Sequence, residues 1–125
     1  MITTVTDEFT QVGNLVTNSL DALSIQVKNL GSQALDAFEV RFRVSREGDF
    51  FTIFSETTDW TTPSGNSFIT CVVSNTENLD ITALDTNESI LFYLERITGF
   101  YEVSLWAKTA SGTTQLETFI GGGNT

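Results

Sequence analysis

From residue 23 the chain alternates: Leu23, Ile25 and Val27 stand against Ser24, Gln26 and Lys28. An apolar side chain at every second position buries one face of an extended segment and wets the other, so a half-buried strand is predicted over 23–28. Past Asn29-Leu30-Gly31-Ser32 the pattern returns, with Phe38, Val40, Phe42 and Val44 inward and Glu39, Arg41, Arg43 and Ser45 outward. The two strands are expected to form a hairpin. Lys28, Arg41, Arg43 and Arg46 fall on this pair, and a solvated face with cross-strand ion pairs is expected there ahead of a binding patch.

Beyond the turn Arg46-Glu47-Gly48-Asp49, FFTIF (50–54) reads as a short aromatic strand. A polar loop, 55–67, holds the sole proline, Pro63, and leads into FITCVVS (68–74). Loops this long are usually functional or disordered. In ESILFYLE (88–95), Ile90, Phe92 and Leu94 share a face. A closing hairpin is expected from YEVSLWAK (101–108) and TQLETFI (114–120), followed by GGGNT. Seven or eight short strands with regular turn signals and no helical period argue for an all-β sandwich or barrel. One domain is expected over 1–125, with 1–16 as an N-terminal arm and 119–125 as a C-terminal tail.

With 125 residues, 40% of them apolar and ten of them Phe, the chain can build a two-layer core without metal or disulfide. No stretch approaches the roughly 18 apolar residues of a membrane span, so no membrane role is expected. The opening MITTVTDEFTQVGN lacks the basic and apolar regions of a signal peptide, which points to an unexported chain. The lone Cys71 fits a reducing compartment. Six Lys plus Arg against sixteen Asp plus Glu give a net charge of −10, which disfavours nucleic acid and anionic lipid. A partner is expected to be protein, sugar or cation.

The segment LSIQVKNLGSQALDAFEVRFRV resembles the B and C strands of CARDB-type bacterial immunoglobulin-like adhesion modules, in which an apolar strand ends in a V-x-N-x-G turn, here Val27, Asn29 and Gly31. The segment ITALDTNESILFYLERITGFYEVSLWAK is similar to their later half, through Leu84, a polar turn, a Ser-led strand and the Gly99, Tyr101, Val103 spacing. The resemblance implies an immunoglobulin-like antiparallel β-sandwich of seven to eight strands. Its motifs encode turns and packing and are almost silent about ligands.

Histidine is absent, which removes the commonest general base and transition-metal ligand, and no enzymatic activity is expected. Cys71, between Ile69 and Val73, reads as a core thiol. Glu77, Asn78 and Asp80, with Asp85, Asn87 and Glu88, make two oxygen-rich loops, but neither has the order of a calcium loop, so no metal or other cofactor is expected. Trp106 falls on the outward parity with Glu102, Ser104 and Lys108, and calls for a cover: a loop of the same chain, a protein partner or a sugar ring. Trp60, in the long loop, is a second candidate. Phe119 is outward with Gln115 and Glu117, and with Ile120 forms a candidate attachment point at a sheet edge.

These features point to a non-enzymatic structural domain that binds protein. The expected setting is a bacteriophage virion assembled in the host cytoplasm, with the chain as a decoration or cement protein or another minor component. Its partners would be a larger shell or capsid protein and further copies of itself. The alternative is a carbohydrate-binding or cell-adhesion module that stacks a sugar on Trp60 or Trp106.

Overall fold

Strand propensity and alternation become nine strands in the computed structural model, which describes residues 1–55, 70–74, 81–95 and 97–123. In chain order they are β1 (Ile2–Val5), β2 (Thr10–Val16), β3 (Ala22–Asn29), β4 (Leu35–Arg43), β5 (Phe51–Ser55), β6 (Thr70–Ser74), β7 (Ser89–Glu95), β8 (Glu102–Thr109) and β9 (Thr114–Gly123), with one 3₁₀ turn at Ile81–Ala83. One sheet has the order β1-β9-β3-β7-β6 and the other β2-β8-β4-β5. All pairings are antiparallel. The chain is thus the all-β antiparallel sandwich expected from its pattern.

Its central pairings, β3 with β7 and β4 with β8, are those of an immunoglobulin-like sandwich. The outer strands extend this into a nested order: β1 with β9, β2 with β8, β3 with β7, β4 with β5. Nesting of that kind is the winding of a jelly roll, with β6 added beyond β7. Neither expected hairpin forms. β3 and β4 lie in opposite sheets, as do β8 and β9, so each pair is an arch across the core. Alternation fixes which face of a strand is buried and leaves open which strand lies beside it.

The inward faces meet as expected. Leu23, Ile25, Val27, Ile90, Phe92 and Leu94 from one sheet pack on Phe38, Val40, Phe42, Val103 and Leu105 from the other, all buried. The Phe38 and Phe92 rings lie 6.0 Å apart across the layers, and Phe42 packs on Phe100 at 4.5 Å. Each such side chain contributes about 1.5–3 kcal/mol by leaving water. Val44, expected inward with Phe42, is instead 68% exposed. β4 ends at Arg43, so the alternation stops one residue before it.

Asn29 fastens the β3–β4 arch. Its Nδ2 donates to the carbonyls of Gln33 (2.9 Å) and Leu84 (3.0 Å), and its Oδ1 accepts from Gly31 N–H (3.1 Å) and the Thr114 hydroxyl (2.7 Å). Both arches therefore hang on one buried amide. Gly31 is needed beside it, because a Cβ there would fall 2.1 Å from Thr114 Oγ1.

Two corrections concern the ends. Segment 1–16 is no arm: it supplies an edge strand to each sheet, β1 and β2. Residues 119–123 are likewise no free tail, since they complete β9 and pair with β3 from Gln26↔Phe119 to Ala22↔Gly123. Residues 124–125 lie outside the described residues.

Candidate functional site

The two outer faces of the sandwich differ in chemistry. On the β2-β8-β4-β5 face, Arg41 pairs with Glu39 at 2.8 Å and Lys108 reaches Asp36 at 3.8 Å. Arg43 Nε donates to Glu102 at 2.9 Å, a second guanidinium N–H reaches the same oxygen, and Asn14 Nδ2 donates to the other at 3.0 Å. Aromatic rings fill the gaps. Arg41 stands 4.5 Å from the Trp106 ring and 5.4 Å from Phe9, Arg43 4.7 Å from Phe50, and Lys108 5.3 Å from Phe9. The expected ion-paired face exists, but Lys28 is not part of it, because β3 lies in the other sheet.

Trp106 therefore finds its cover on its own sheet. It stands opposite Gln11 and Glu39 in register, half-buried with the Arg41 guanidinium over its ring. Its indole N–H is buried with no hydrogen-bond partner among the described residues. Trp60, the other tryptophan candidate, lies outside the described residues, as do all of 56–69 and Glu77, Asn78 and Asp80. Asp85 and Glu88 close a turn on themselves, with Asp85 N–H donating to Glu88 Oε1 at 2.7 Å. Cys71 stands opposite Leu94 in register.

The outer face of the other sheet is poorer in charge. Phe119 of β9 and Leu91 of β7 flank Gln26 of β3 on one rung, and Ile2 of β1 stands opposite Glu117 on the neighbouring one. These three apolar side chains are 50%, 42% and 57% exposed. On the next rung are Gly121, Ser24 and Tyr93. Phe119 is thus outward as its parity indicated. Ile120 has the opposite parity: half-buried, it packs against the core.

Comparison with known proteins yields no matching family model, no matching curated protein and no matching solved structure. The site therefore has to be read from its own geometry.

That geometry includes a stretch of β9 that runs past β1, which the sequence did not reveal. β9 pairs with β1 only over Thr114–Glu117, and one further contact joins Thr118 to Met1: Thr118 N–H donates to the Met1 carbonyl at 2.9 Å and the Met1 amino group to the Thr118 carbonyl at 3.0 Å. Main-chain groups alternate sides along a strand. Since Thr118 faces β1, Ile120 and Gly122 face the same way, past the point where β1 begins. Gly123 fits the alternation, because its carbonyl accepts from Asp21 N–H on the β3 side. Among the described residues no strand runs beside Ile120 and Gly122. A cleft of about 140 Å³, lined by Met1, Gly13, Asn14, Leu15, Thr118 and Ile120, opens next to this edge.

Proposed function

We propose that this chain is a non-enzymatic structural domain that acts by protein contact, and more specifically a decoration or cement protein, or other minor structural protein, of a bacteriophage virion assembled in the host cytoplasm. The observation that carries this reading is the contrast between the two faces. On the β2-β8-β4-β5 face the central charges are paired and ringed by aromatics, and the exposed apolar side chains, Val16 and Phe51, lie on its two edge strands. The opposite face holds Ile2, Phe119 and Leu91 in water, the latter two on the inner strands β9 and β7. Protein interfaces are depleted of charge at their centres and enriched in aromatic side chains. The jelly-roll winding is compatible with this reading, although capsid and lectin domains both use it and the winding alone does not choose between them.

The alternative, a carbohydrate-binding or adhesion module, needs an accessible aromatic plane. Trp106 offers less of one, because Arg41 stands over its ring.

The test is co-sedimentation of the purified chain with the shell of the parent particle. The Phe119→Ser/Leu91→Ser double variant is expected to stay folded by circular dichroism and to lose at least tenfold in shell affinity. Full occupancy of the shell by this variant would place the attachment elsewhere and overturn the role given to this face.

A further inference from the structure

We draw no further inference here: the strongest candidate, the exposed apolar patch of Ile2, Phe119 and Leu91 across β1, β9 and β7, belongs to the face already proposed for protein contact, and nothing in the structure shows what covers it.

Discussion

Asn29 shows how much of this fold can hang on one polar side chain. An amide buried in a sandwich is costly unless its donors and its acceptor are used, and here two N–H bonds and two accepted bonds tie together the end of β3, the β3–β4 link, Leu84 just past the 3₁₀ turn, and the start of β9. Its main chain adds two more, donating to Glu88 and accepting from Asn87. Replacing Asn29 by Ala strands the Thr114 hydroxyl and the Leu84 carbonyl in the interior. We expect Asn29→Ala to cost about 3 kcal/mol, read as a lower urea midpoint with unchanged slope. A loss within about 0.5 kcal/mol would show that water replaces the amide at no cost. The V-x-N-x-G string was legible in the sequence as a turn. Its reach to Thr114, 85 residues away, was not, because a turn signal is local and this contact is made by the fold.

At the scale of elements, the behaviour of β9 separates the outer face from the core. Residues 119–123 pair with β3 rung by rung, Ile120 packs inward, and Leu20 lies against Gly122. Deleting 119–125 is therefore expected to lower stability by about 3–5 kcal/mol in thermal or urea unfolding, through lost ladder bonds and apolar burial. Phe119→Ser alone should stay within about 0.5 kcal/mol of the unaltered chain, because that ring contributes little to the core. Equal stability of the truncated and full chains would contradict the assignment of 119–123 to the sheet. Period-two alternation made the buried faces of β3, β4, β7 and β8 readable, as well as the outward parity of Phe119 and Trp106. β2 escaped notice because a bulge between Gln11 and Gly13 turns Val12 and Gly13 inward together and breaks the alternation. β1 has only four residues, with Thr3 and Thr4 at its centre, too short and polar a run to signal a strand. The arches passed for hairpins because both need only two apolar-alternating runs and a polar link. The pairing of β1 with β9 is a register between segments more than 100 residues apart, which no local pattern encodes.

For the whole molecule, we propose that the two outer faces divide the work, the β2-β8-β4-β5 face pairing its central charges within the chain and the other meeting neighbours. On the first, Arg41, Arg43 and Lys108 each have an acid and at least one ring, which keeps a strongly acidic domain from presenting loose basic patches. Lys108–Asp36 is exposed and adds little stability, whereas the largely covered Arg41–Glu39 and Arg43–Glu102 pairs fix their side chains, and Arg41 covers Trp106. The second face exposes apolar surface at Ile2, Phe119 and Leu91. A domain that does its work there should be found as a stoichiometric part of something larger. The most direct measurement is the molar ratio of this chain to the largest shell protein in purified particles, by quantitative mass spectrometry across independent preparations. The account predicts a fixed ratio that survives repeated density-gradient purification. A ratio that drifts between preparations, or a chain that washes away from the particle, would contradict it.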